Sequence, residues 1–167
     1  LLTPMLVLGA IMQAGEEVII SKGNDVADNL YVAGGNISIN SSVSGDLYTA
    51  GGNVLLTETI TEDVVVAGGS ITILGDVGDD VRVAGGQVLI AGNVGGELVV
   101  AGGSVTVSSN VVVDGDAVIA GGQILLDGEV QGDVEIYGGV ASVNGYVQGD
   151  MIAKLEEIRN RAIKGES

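Results

Sequence analysis

The chain has 167 residues and a formal net charge of −16, with 22 Asp and Glu against 6 Lys and Arg, no His and no Cys. That balance excludes a nucleic-acid partner, which needs clustered cations, and it excludes disulfides, thiolate zinc sites, Ser-His-Asp triads and other His-dependent chemistry. Phe and Trp are absent and there is one Pro, yet apolar residues reach 46% and Gly numbers 29, so neither a disordered chain nor a polyproline or collagen rod is expected, and the core must be Val, Ile, Leu and Ala.

Residues 1–17 form an apolar N-terminal segment: Leu1 to Ala14 (LLTPMLVLGAIMQA) carries no charge, and Gly15, Glu16 and Glu17 follow. The run is short for a spanning helix, which needs about 20 residues, and it suits the apolar part of a signal peptide lacking its basic leader. With Leu at position 1, the chain reads as a processed or fragmentary product. Three readings stand: a truncated export signal, a membrane anchor, or an apolar cover for the end of the fold. An exported or cell-envelope location follows from the first, a cytoplasmic membrane-associated one from the second.

Residues 18–150 are a repeat. Ala-Gly-Gly begins at Ala33, Ala50, Ala67, Ala84, Ala101 and Ala120, with Tyr137-Gly138-Gly139 as a seventh copy, at steps of 17 residues except one of 19. An acidic marker keeps the same beat at Asp46, Asp63, Asp80, Glu97, Asp116, Asp133 and Asp150, with Asn29 ahead of it. Within each unit, aliphatic residues alternate with polar ones, the pattern of strands with one buried face. Five aliphatic columns result, begun by Leu30, Val32, Ile37, Ile39 and Val43; over seven units their one polar member is Thr49. No unit can bury its own face, so stacking must do it. A unit this short is neither a propeller blade nor a leucine-rich repeat. The expected fold is all-β: a single-stranded parallel β-helix, or β-solenoid, with one 17-residue unit per turn. Gly-Gly fits a corner, where positive φ and close stacking favour Gly. Extra residues around Ser108-Ser109-Asn110, and near Lys22-Gly23-Asn24, are expected to bulge without breaking the columns.

Residues 151–167 change pattern. Met151, Leu155, Ile158 and Ala162 lie on a helical stripe, with Asp150 as N-cap and Gly165 as stop. A short C-terminal amphipathic α-helix is therefore predicted, as an end cap, a linker to an anchor or an oligomerisation helix. It holds Lys154, Arg159, Arg161 and Lys164, four of the six basic residues.

The repeated block, as in Asp63 to Ile73 (DVVVAGGSITI) and Asp80 to Ile90 (DVRVAGGQVLI), resembles the bactofilin-like, polymer-forming cytoskeletal family over about Val18 to Ala153. The resemblance implies a right-handed β-helix that polymerises end to end into non-polar filaments without bound nucleotide, often at a membrane. The export-type N-terminus and the helical stripe depart from that family. The partners expected are further copies of the chain, and a membrane through a terminal segment, with no nucleotide and no nucleic acid. Stacking would continue the aliphatic columns between subunits, which puts Val134, Ile136, Val143 and Val147 of the last full unit at the assembly interface.

No catalytic residue, cofactor site or metal site is assigned. The acidic column Asp46, Asp63, Asp80, Glu97, Asp116 and Asp133 has two readings. Stacked carboxylates about 4.8 Å apart repel, and hard cations such as Ca²⁺ could bridge them; alternatively each Asp bonds its own backbone in an Asx-turn. The Ca²⁺-binding nonapeptide is absent. Carboxylate pairs can cleave glycosides, but no acid breaks the repeat to mark a site. Lys22-Gly23 and Lys164-Gly165 have the wrong order for a P-loop. Asn36-Ile37-Ser38 and Asn40-Ser41-Ser42 match the glycosylation acceptor pattern. The column Asn36, Asn53, Ser70, Gln87, Ser104 and Gln123 is expected to form a hydrogen-bond ladder beside the corner. The leading function is a self-assembling structural subunit; the alternative is a monomeric displayed module that adheres or binds cations.

Overall fold

The computed structural model describes the backbone of residues 5–7, 10–160 and 163–164 and the side chains of residues 10–156. After β1 (Met5–Val7), the long strands are β2 (Ala10–Ile20), β3 (Asn29–Ile39), β4 (Leu47–Leu56), β5 (Val64–Ile73), β6 (Val81–Ile90), β7 (Leu98–Val107), β9 (Ala117–Leu126), β11 (Val134–Val143) and β13 (Met151–Asn160). Short strands β8 (Val112–Val113), β10 (Glu129–Val130), β12 (Tyr146–Val147) and β14 (Ile163–Lys164) complete the set.

The long strands stack in parallel, each on its sequence neighbour, so that Leu30 pairs with Leu47, Leu47 with Val64 and Val64 with Val81. Inward alternation changes parity across Ala-Gly-Gly: Leu30 and Val32 are buried before it, Ile37 and Ile39 after it. A parity change within a strand is what a corner between two faces requires. A third, narrow face comes from the short strands and from the bridges linking Val26, Val43, Ile60, Val77, Val94 and Val113. The fold is a parallel β-solenoid of about nine turns, rising about 38 Å at ~4.8 Å per rung. All five columns are buried in every one of the seven units, the most exposed member being Thr49 at 6%. The core is continuous along the axis and entirely local in register, as a stack of units that cannot stand alone must be.

The expected insertions behave as bulges. Asn110 Nδ2 bonds Ala91 O at 2.7 Å, Val111 N–H returns to Ser108 O at 3.0 Å, and the columns resume at Val113. At the other, Asn24 N–H bonds Ser21 O at 3.1 Å around Gly23, whose φ of 90° is the one positive value among the described residues. The Ala-Gly-Gly corner does not use positive φ. Its glycines are required by close approach alone: a Cβ on Gly51 or Gly68 would stand 2.5 Å from the carbonyl oxygen of the corner below.

The predicted C-terminal helix is not formed. Residues 151–160 are strand β13, paired with β11 from Val134↔Met151 to Val143↔Asn160, and Ile163–Lys164 adds to β12. Met151, Ala153 and Leu155 alternate onto the core, half-buried. Met151 and Leu155 belong to both the helical and the strand pattern. The exposed edge of β11 decides between them, because a strand satisfies its backbone groups and a helix would leave them open. Asp150, expected as an N-cap, donates its N–H to Asp133 Oδ1 at 2.8 Å; Ala162 and Gly165 lie outside the described residues.

At the other end, solenoid pairing begins at Ala10, within the expected N-terminal segment. Ala14 pairs with Ala33 and Gly15 with Gly34, so the first rung carries Ala-Gly-Glu where the next six carry Ala-Gly-Gly, β11 Tyr-Gly-Gly and β13 Lys-Leu-Glu.

Candidate functional site: an acidic ladder and two unlike ends

The acidic column stacks as expected, but its bonds run between rungs. Asn29 Oδ1 accepts the N–H of Asp46 at 2.8 Å, Asp46 Oδ1 that of Asp63 at 3.2 Å, Asp63 Oδ1 that of Asp80 at 3.0 Å and Asp80 Oδ1 that of Glu97 at 2.8 Å. Asp116 Oδ1 accepts from Asp133, and Asp133 Oδ1 from Asp150, each at 2.8 Å. The Asx-turn reading is thus replaced by a side chain that reaches forward one turn. Glu97, the one Glu in the column, makes no such bond among the described residues. The glycine before the marker has a role in this ladder: a Cβ on Gly45, Gly132 or Gly149 would strike the Oδ1 of Asn29, Asp116 or Asp133 below. Gly-Asp at 17-residue spacing was the available sequence signal.

Charge crowding is relieved by these amides and, midway, by Arg82. Its guanidinium lies 2.8 Å from Asp80 Oδ2 and 4.0 Å from Asp63 Oδ2. The Glu97 N–H, and after it Arg82, hold the Asp80 carboxyl below the usual range against an opposing desolvation cost. Asp63, Asp79 and Asp80 bring carboxylate oxygens within 4.8 Å of one another, the geometry of a hard-cation cluster. The Arg82 cation already stands among them. Of the six residues considered for a cation ladder, Asp46, Glu97, Asp116 and Asp133 are not drawn into this group.

A second ladder went unread in the sequence. Asp25 Oδ1 accepts from Ser42 N–H at 3.3 Å, Asp76 Oδ1 from Asn93 N–H at 2.9 Å and Asn93 Oδ1 from Val112 N–H at 2.9 Å. Its signal is the polar residue just before the fifth column. In the expected amide column, Asn53 Nδ2 bonds Asn36 Oδ1 at 2.7 Å; the later members stack in register without a side-chain hydrogen bond between them among the described residues. Asn36 is exposed, while the half-buried Asn40 accepts from Ser38 and Thr57 hydroxyls at 3.2 and 3.1 Å. Tyr31 and Tyr48, outward neighbours in adjacent rungs, stack at 4.8 Å with an 8° interplanar angle. The Asp46 charge, first among several causes, raises the Tyr48 phenol above its ordinary value.

The expected assembly residues Val134, Ile136, Val143 and Val147 are buried, and they sit one rung inside the end. Their parallel neighbours are Met151, Ala153, Asn160 and Lys164 of the chain's own next turn. The terminal rungs place polar residues at column positions, with half-buried Gln13 in the first and Asn160 and Lys164 in register in the last. Charge divides likewise: residues 1–150 carry two basic and nineteen acidic side chains, residues 151–167 four and three. β1 lies antiparallel on the outer edge of β2, and β13 has β11 as its single long-strand neighbour. Among the described residues no helix is long and apolar enough to cross a membrane.

No family model, curated protein or solved structure matches this chain.

Proposed function

We propose that this protein is a structural, non-catalytic subunit that assembles end to end, through further copies of itself, into a filament or envelope scaffold. The observation that carries the reading is the run of in-register rungs ending at β13, whose outer edge from Met151 to Asn160 has no neighbouring strand among the described residues. Such an edge is a template for another chain. The Ala-Gly-Gly beat, with its bactofilin-like spacing and the right-handed, nucleotide-free filament that goes with it, supports the same reading. So does the apolar stretch before Glu16, which suits export or a membrane-facing terminus.

The test is sedimentation with negative-stain microscopy across a salt series. Subunits this acidic repel, so assembly should rise with ionic strength. Ala153→Lys, a charge on the inward side of the last rung, should block assembly while folding is retained by circular dichroism. Glu135→Lys, on an outward position, should not. A second reading, a monomeric displayed module, is favoured by the polar Gln13 at the first rung's core position; monomer at every salt concentration would put it in place of the scaffold.

A further inference from the structure

We propose that β1 forms an opening cap that holds the N-terminal end of the solenoid closed to a second copy of the chain. The inference rests on the end-to-end reading above and names what regulates it.

β1 is the one antiparallel strand among the described pairings, joined to β2 by Met5↔Met12, Leu6↔Ile11 and Val7↔Ala10. It sits on the edge of β2 away from β3, which is the edge a parallel rung from another subunit would need. One edge cannot pair with both, so β1 and an incoming rung compete for Ala10 to Met12. The competition is unequal in length: β1 contributes three residue pairs, whereas β2 and β3 pair from Ala10↔Asn29 to Ile20↔Ile39. A strand held by so few pairs can be displaced.

Past β1 the same edge runs into the corner, and there the first rung departs from the interior ones. Its register position for the second corner glycine is Glu16. In the rungs above, that position is Gly35, Gly52, Gly69, Gly86, Gly103, Gly122 or Gly139, where a Cβ would lie 2.9 to 3.0 Å from the carbonyl of the rung beneath. The last rung carries Glu156 there, with Gly139 of β11 in register beneath it, so a side chain at this corner does not by itself bar a parallel rung. The barrier at this end is therefore β1, which must yield before the end extends.

The full chain permits a direct test. Leu6→Pro removes a strand N–H and loosens β1, and Glu16→Gly, which leaves β1 in place, is the control. Because the chain has no Cys, Met5→Cys with Met12→Cys, oxidised at a dilution where the chain is monomeric, locks the hairpin through its single possible intramolecular disulfide. Critical concentrations for assembly are read by sedimentation and light scattering, with circular dichroism as the folding check. Leu6→Pro should assemble at a concentration at least tenfold lower than the unaltered chain, and Glu16→Gly at an unchanged one. The oxidised lock should assemble less readily than its reduced form. Equal critical concentrations across unaltered, opened and locked proteins overturn the cap and leave the scaffold reading standing. Monomer in every variant, at every concentration and salt, overturns both.

Discussion

The rung built on β5 and the rung built on β2 share a plan and meet different surroundings. In the first, a Cβ on Gly68 would fall 2.5 Å from the Gly51 carbonyl; in the second, a Cβ on Gly15 finds nothing nearer than the Glu17 carbonyl at 3.4 Å. Val64 and Val66 are buried in the interior rung, whereas their counterparts Ile11 and Gln13 are half-buried. The repeat is therefore not a property of each unit's own conformation. It records what a neighbour above and a neighbour below demand, and it relaxes where one neighbour is missing.

The largest expected effect is a charge inside the interior. Val83→Asp should abolish cooperative thermal unfolding, since an unpaired buried carboxylate costs several kcal/mol even after relaxation. Met151→Asp, in the same kind of position but half-buried at the end, should leave the main transition in place and fray the last rung, seen as local loss of amide protection. Equal damage from both would erase the distinction between interior and end.

Next in size is the corner. Gly68→Ala should lower stability by about 2–3 kcal/mol, because backbone and not a flexible side chain must move, while Gly15→Ala should stay within about 0.5 kcal/mol. Urea melts of the pair measure the difference directly.

A smaller effect of opposite sign is expected at Thr49. Its Oγ1 is buried without a hydrogen-bond partner, in a column flanked by Val32 and Val66. Thr49→Val should raise stability by about 1 kcal/mol by removing an unsatisfied hydroxyl at constant shape. A fall in melting temperature would show that the hydroxyl is satisfied in solution.

The smallest effect concerns acid. The folded Asp80 carboxyl titrates below its ordinary value, chiefly through the Glu97 amide. The unfolded side therefore takes up the proton first: the contribution is present above about pH 4 and is lost as pH falls through the folded value. The stability gap between the unaltered chain and Asp80→Asn, about 0.5–1 kcal/mol near neutrality, should hold constant down to about pH 5 and then shrink. Arg82→Gln, which removes surface ion pairs without adding a charge to the cluster, should change melting little.

Much of the fold was legible because alternation with a fixed beat leaves few alternatives. The five columns could be read from Leu30, Val32, Ile37, Ile39 and Val43 and their successors, and each is buried where expected. The ends were harder for a physical reason. Met151 and Leu155 satisfy a helical and an extended pattern equally, and what selects the strand is the open edge of β11, a feature of the neighbour and not of the segment. Ala14-Gly15-Glu16 hid the first rung because Glu replaces the glycine that identifies the motif, as Lys154-Leu155-Glu156 hid the last. The acidic column was visible, but its bonding was not: an Asx-turn and an inter-rung bond need the same residue type, and stacking geometry alone separates them.

In-register pairing has a further consequence. Nearly every contact of an interior rung is with a copy of itself one unit away, as in Ala50↔Ala67 and Ala67↔Ala84. Duplicating or deleting a whole unit would renew those contacts and alter the molecule's length by one step of about 4.8 Å. The solenoid is in this sense a graduated ruler, whose reach can be reset in whole divisions by recombination between repeats, while the changes that would spoil it are those that add or remove part of a division at a corner.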